Sequence, residues 1–365
     1  MDPRVERHAE LIVDRCTGVE PGDTVVVLSS PETEPLQIAL SELLGERGAM
    51  PVHVHLGGRP MRAFTGAVDL ETLGTPDHLH ALVEAADVLI NVRGSSNVAE
   101  MSDVDPEAAQ AFARIFEPIN EELEAEDTEA VITQHPAPGN AQKAEMSTDA
   151  YADFVYEAID KDWDAQEAHQ EQLVEILDPA STVRIVAGEE TDLEMSIEGN
   201  PAVNSVADMN LPSGEVFTAP VPDSVEGTVR FDKPVVRLGR EIEGAALVFE
   251  GGEIVDHDAD ANGDVLASLL ETDEGARRLG ELGIGMNRDI DRFTYNMLFD
   301  EKMGDTIHLA VGRSIEESVG EGNEANESAI HVDMIVDMSE DSRIEVDGEV
   351  IQRDGTFVFE DGFED

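Results

Sequence analysis

The chain has 365 residues, with 23 Lys plus Arg against 81 Asp plus Glu, a formal charge of −58, 41% hydrophobic residues and one cysteine, Cys16. Acidity spread along the chain with no basic stripe excludes nucleic-acid binding, and the hydrophobic content excludes a wholly disordered acidic protein. A single cysteine excludes an intrachain disulfide, and Cys16 falls on an amphipathic helix where it reads as packing.

Only four of the basic residues are lysine: Lys143, Lys161, Lys233 and Lys302. Such a surface repels itself at low ionic strength, and molar salt, with a Debye length of about 3 Å, screens the repulsion. The expectation is an extreme halophile's cytoplasm. No stretch approaches a membrane span, and MDPRVERHAE lacks a signal peptide's apolar core, so a soluble, cytoplasmic protein with no membrane partner is expected. The length predicts two domains.

In chain order, Val5 to Cys16 is predicted as a helix, Thr24 to Leu28 as a strand, Glu34 to Arg47 as a helix and Pro51 to His55 as a strand. Strand, helix, strand at this spacing implies a parallel βαβ unit. A helix through Leu79 to Ala86, a strand Val88 to Val92 and a helix from Pro106 ending at Glu117, before Pro118, continue the pattern. An α/β N-terminal domain with a parallel sheet follows. Its first strand leads into SSPETEPL, which has neither GxGxxG nor GxxxxGK[ST], so a phosphate cradle is not expected.

A long helical segment from the capping Ser147 to Leu177 closes this domain, expected to span 1–177. Residues 178–365 change to short strands: Val183 to Val186, Leu193 to Ile197, Thr228 to Phe231, Ala246 to Phe249, and a closing meander turning at Asp347-Gly348 and Asp354-Gly355. A helix from Asp264 to Gly280 interrupts them. The C-terminal domain is therefore expected to be α+β and to bind metal.

Five of its residues suit divalent ions: Glu215 in PSGEVFTAP, Glu281 in LGELGIG, His308 in DTIHLAVG, and His331 with Asp333 in SAIHVDMI. Carboxylates can bridge two ions while imidazoles fix their positions. His331 and Asp333 share one face of a predicted strand, Ala329 to Met338, and His308 lies in another, Thr306 to Val311. Glu301 and Lys302 are candidates to support the ligands, or an ordinary surface pair. Asp258 to Gly263 imitates an EF-hand start, but the twelfth loop position is Leu269, so a turn into a helix is expected. His53 and His55 share a strand face without matching carboxylates or cysteines, and His135 lies in a turn. These read as structural, and His257 is at most a rim residue. Gly312-Arg313-Ser314-Ile315-Glu316 fails as a GxSxG elbow, and HExxH is absent.

The words PSGEVFTAP, ARRLGELGIG, DEKMGDTIHLAVG and ESAIHVDMIVDM, preceded by PGDTVVVLSSPETEPLQIAL, HPAPGNAQKAEMS and TDLEMSIEG, resemble the aminopeptidase T-like family of metalloaminopeptidases over nearly the whole chain. The resemblance implies that Glu215, Glu281, His308, His331 and Asp333 bind two divalent metal ions (Zn, Co or Mn), that peptides are the substrates and that the protein is a homodimer. Glu281 is assigned a dual role as bridging ligand or general base. The family usually carries a tyrosine seven residues after the first histidine, where this chain has Ile315, and an aromatic at Val332. Loss of that phenol opens a second expectation, a catalytically altered, non-peptidase paralogue. A third is a mononuclear iron ring-cleaving dioxygenase of related fold, using His308, His331 and Asp333 alone.

Overall fold

The computed structural model describes residues 1–364 except positions 75, 106–107, 109–110, 113–114, 116–128 and 238–239, and the helix expected from Pro106 to Glu117 lies outside the described residues. The chain divides into two units, Met1–Lys161 with Ala207–Ser213, and Asp162–Val206 with Gly214–Asp365.

In the first unit, β1 (Thr24–Ser29), β2 (Met50–His55), β3 (Val88–Arg93) and β4 (Glu129–Gln134) pair in parallel, in the order β2-β1-β3-β4. β1 reads Thr-Val-Val-Val-Leu-Ser and is buried from Val25 onward, the continuous apolar run of a strand covered on both faces. Helix Glu34–Arg47 crosses from β1 to β2 and stops at Gly48, whose φ of 80° only glycine adopts freely. The expected α/β domain with a parallel sheet is the one observed.

The segment expected as a single helix to Leu177 is two helices, Thr148–Ile159 and Trp163–Leu177. Asp162 starts the second by accepting the Ala165 N–H at 3.1 Å, and the unit boundary falls here instead of after Leu177. Gln170 explains the allegiance of that second helix. Its side chain is buried and donates to the carbonyls of Ser205 at 3.1 Å and Glu215 at 2.9 Å, both in the C-terminal unit.

Strands of the second unit are β5 (Thr182–Ala187), β6 (Thr191–Ser196) and β7 (Val203–Ser205). After β8 (Asn210–Leu211), which joins β4 in the first unit's sheet, come β9 (Glu215–Thr218), β10 (Glu226–Arg230), β11 (Val235–Arg237), β12 (Arg240–Ile242), β13 (Ala246–Glu250) and β14 (Glu253–Asp258). The last six are β15 (Leu279–Gly285), β16 (Thr306–Gly312), β17 (His331–Asp337), β18 (Ser342–Val346), β19 (Glu349–Arg353) and β20 (Thr356–Phe357). They build an antiparallel sheet in the order β14-β13-β10-β6-β5-β18-β19-β20 and a second one in the order β17-β16-β15-β9-β7. One apolar core contains Ile185, Leu193, Leu247, Phe249 and Ile344 of the first sheet and Val216, Leu282, Ile284, Ile307, Leu309 and Met334 of the second.

The helix expected to reach Gly280 is shorter, Gly263–Leu270. Asp273 ends its continuation by accepting the Ala276 N–H at 2.8 Å and the Ala329 N–H at 2.7 Å, and the chain re-emerges as β15. The chain leaves β14 at Asp258 and enters this helix at Gly263, with Asn262 left-handed and bonded to Arg240.

Candidate metal centre

Period-two alternation makes the centre. On β9, β15, β16 and β17, residues Val216, Leu282, Ile284, Ile307, Leu309, Val311, Val332, Met334 and Val336 enter the core, so Glu215, Glu281, His308, His331 and Asp333 leave the opposite face. A bulge between Leu279 and Glu281 lets Leu279 also turn to the core while Glu281 keeps its place. Register completes the cluster: Glu281 pairs with Ala310, which pairs with Asp333, and His331 lies opposite Gly312.

All five predicted residues meet. His308 Nε2 lies 3.2 Å from Glu281 Oε1 and 3.5 Å from Glu215 Oε2. His331 Nε2 lies 3.3 Å from both Glu281 Oε2 and Asp333 Oδ1. Two groups of three, Glu215 with Glu281 and His308, and Glu281 with His331 and Asp333, each offer ligand atoms within 4.8 Å of one another and share Glu281. Donors about 2.1 Å from a common ion stand roughly 3.0–3.4 Å apart, so the spacing fits a metal. The buried Glu215 Oε2 and Glu281 Oε2 have no hydrogen-bond partner although imidazole nitrogens are close. At these two oxygens the closeness without hydrogen-bond geometry is what convergence on a third atom produces, whereas His308 Nε2 and Glu281 Oε1 share a hydrogen bond at 3.2 Å. His331 Nδ1 donates to the Arg313 carbonyl at 2.7 Å, which leaves Nε2 as the free donor atom. His308 Nδ1 is buried without a partner.

The site is closed at one end and open at the other. Side-chain exposure rises from 0% at Lys302, 2% at His308, 4% at Glu281 and 7% at Glu215 to 14% at Asp333 and 21% at His331. Burial disfavours both imidazolium ions, yet the carboxylates outweigh it, lifting His308 to about 9 and His331 to about 11. Burial also opposes ionisation of Glu281 and Asp333, and the imidazoles nevertheless hold both below the usual carboxylate range. Glu301 is pushed up to about 7, by burial and by Glu215 and Asp333 against the pull of Lys302.

Of the two roles expected for Glu301 and Lys302, support of the ligands is the one observed. Lys302 is fully buried, pairing with Glu301 and with Glu215 Oε1 at 3.1 Å, so the surface-pair alternative does not hold. Asp300 fixes the preceding turn by accepting from Thr294 N at 2.7 Å and Asn296 N at 2.8 Å. Gly283 lies opposite His308, and a Cβ there would stand 2.0 Å from the imidazole Cε1 and Nε2. The alternation in Leu-Gly-Glu-Leu-Gly-Ile-Gly carried the signal, since its small residues occupy the face that bears Glu281. The other histidines stay outside the centre: His53 bonds to Ser41 at 2.9 Å, His55 to Gln37 at 2.9 Å, and His135 is buried. Cys16 is buried, and burial pushes its thiol up to about 12.

A sheet-borne cluster of three carboxylates and two imidazoles has the donor set that suits divalent metal ions. Residues 1–363 match the thermophilic metalloprotease (M29) family, and the chain belongs to that family. It is 27% identical to aminopeptidase 2 of Geobacillus stearothermophilus over 98% of both chains, and 39% identical to aminopeptidase T of Thermus aquaticus over 41% of this chain and 38% of that one. The solved structure of wild-type AmpT from Thermus thermophilus superposes with a TM-score of 0.87 at 26% identity, covering 98% of this chain and 99% of that one. A 2,5-dihydroxypyridine dioxygenase from Pseudomonas putida shares the fold, with a TM-score of 0.62 at 15% identity over 99% of each chain.

Proposed function

We propose that Glu215, Glu281, His308, His331 and Asp333 hold a pair of divalent ions, zinc, cobalt or manganese, and that the centre releases N-terminal residues from peptides. The enzyme is a metalloaminopeptidase. The observation that carries the two-ion reading is the pair of three-residue groups sharing Glu281, with buried oxygens left unpartnered on both glutamates.

Bound there, the ions would supply a water acidic enough to deprotonate near neutral pH and would polarise the scissile carbonyl. Glu281 stands between both imidazoles, so its carboxylate can bridge the positions or hold the proton shed by that water and return it to the leaving amine. Rigid strands fix these atoms, and the more exposed His331 and Asp333 mark the side from which a peptide approaches. A one-iron ring-cleaving centre on His308, His331 and Asp333 would leave unused the buried Glu215 Oε2 and Glu281 Oε2, neither of which has a hydrogen-bond partner.

We also propose a cytoplasmic homodimer adapted to molar salt, supported by the resemblance and the charge. Among the described residues no helix is long and apolar enough to cross a membrane.

Glu281→Gln tests the assignment. Turnover of aminoacyl anilides in molar KCl should fall by about 10²- to 10⁴-fold, the scale of general acid–base catalysis, with an unchanged circular dichroism spectrum. A folded variant with wild-type turnover would contradict the role given to Glu281.

A further inference from the structure

Lys302 is the one lysine at the centre, and it has no access to water. Its ammonium is shared between Glu215 Oε1, at 3.1 Å, and Glu301. Glu215 therefore gives one oxygen to a resident cation and turns the other toward His308, where it has no hydrogen-bond partner. One carboxylate thus faces two cation positions, one already filled by the protein.

We propose that Lys302 is a positioning residue that competes with metal for Glu215. It neutralises the closed end of the centre in the metal-free protein and loosens the hold of the position formed by Glu215, Glu281 and His308. The inference rests on the metal reading above. Cations that share an anion oppose each other, because each lowers the charge left for the other. Removing the ammonium takes from buried Glu215 its nearer cation and leaves it only the His308 imidazole at 3.5 Å in the metal-free protein, which is destabilising, and removes repulsion from the loaded one. Both changes favour metal binding. Glu301 tempers the competition by claiming part of the ammonium, so neutralising Glu301 should give Lys302 more completely to Glu215 and weaken the same position. In normal operation the arrangement keeps the buried position exchangeable, and a ligand that donates less charge leaves a bound ion more electrophilic.

Opposite signs separate this role from packing, which would harm both variants alike. Full-length wild type, Lys302→Met and Glu301→Gln are stripped with chelator in molar KCl and titrated with Mn²⁺ by calorimetry at pH 8. Thermal melting is followed with and without the ion. Lys302→Met should melt lower than wild type when metal-free, regain most of the difference when loaded, and bind the weaker ion about 10- to 100-fold more tightly, the scale for partners of metal ligands. Glu301→Gln should bind it more weakly, by about tenfold or more. Shifts in the same direction, or none, overturn the inference. If metal-free Lys302→Met does not fold, Glu301→Gln decides alone, and unchanged or tighter binding there overturns it. Wild type that binds no ion defeats the metal reading itself, whereas wild type binding two with variants shifting together defeats only the role of Lys302.

Discussion

In the metal-free protein the carboxylates hold His308 and His331 protonated, lifted to about 9 and about 11, so at pH 7 an ion must displace a proton from each. The sign follows from competition: apparent affinity rises as the pH climbs toward these values, and binding releases acid. Ile315 is the other residue whose chemistry can be isolated. It lies two residues after Arg313, whose carbonyl orients His331, and it places an aliphatic side chain where the resemblance leads one to expect a tyrosine. If that phenol stabilises the developing oxyanion, Ile315→Tyr should raise turnover by up to about 10²- to 10³-fold, the scale for one such donor, with metal content unchanged. Steady-state kinetics with elemental analysis on the same samples checks this. Unchanged turnover in a wild type that is already fully active would show that another group makes the contact.

Strands β15 and β16 decide whether the side chains can meet. His308 lies across Gly283, and a methyl group there would overlap the imidazole, so Gly283→Ala should displace the ring and strip the adjoining ion. Elemental analysis of the variant should show fewer ions than wild type with little change in secondary structure, while a full complement would contradict this packing. Much of this geometry was legible in the sequence: the β-branched and apolar content of Thr306 to Val311 and Ala329 to Met338 marks strands, and period two puts His331 and Asp333 on one face. Glu281 is harder, because a helical pattern from Asp264 runs on to Gly280 in the sequence, whereas Asp273, bonded to distant Ala329, helps turn the chain. The ambiguity at Asp162 was similar, since polar helical residues continue on both sides of a capping aspartate. Burial of Lys302 was not legible, because a Glu-Lys neighbour pair looks like any surface pair until the strands beneath it are known.

Across the whole molecule, a charge of −58 sets the conditions under which these local arrangements persist. Arginines are spread thinly among acids, as in Arg184 with Asp192 at 2.7 Å and Arg240 with Asp264 at 2.7 Å, and exposed pairs of this kind contribute little. Screening by salt is the larger effect, so sizing in molar KCl should give a dimer that dissociates or unfolds on dilution into low salt. A monomer unchanged in both buffers would count against both the assembly and the salt requirement. Whether one five-residue cluster holds two ions is tested most directly by titration calorimetry of the metal-free protein in molar KCl, which, repeated in buffers of different ionisation enthalpy at pH 7, counts ions and released protons together. It should find two divalent ions per chain, with close to two protons released from His308 and His331. A single ion per chain, or uptake without proton release, would contradict it.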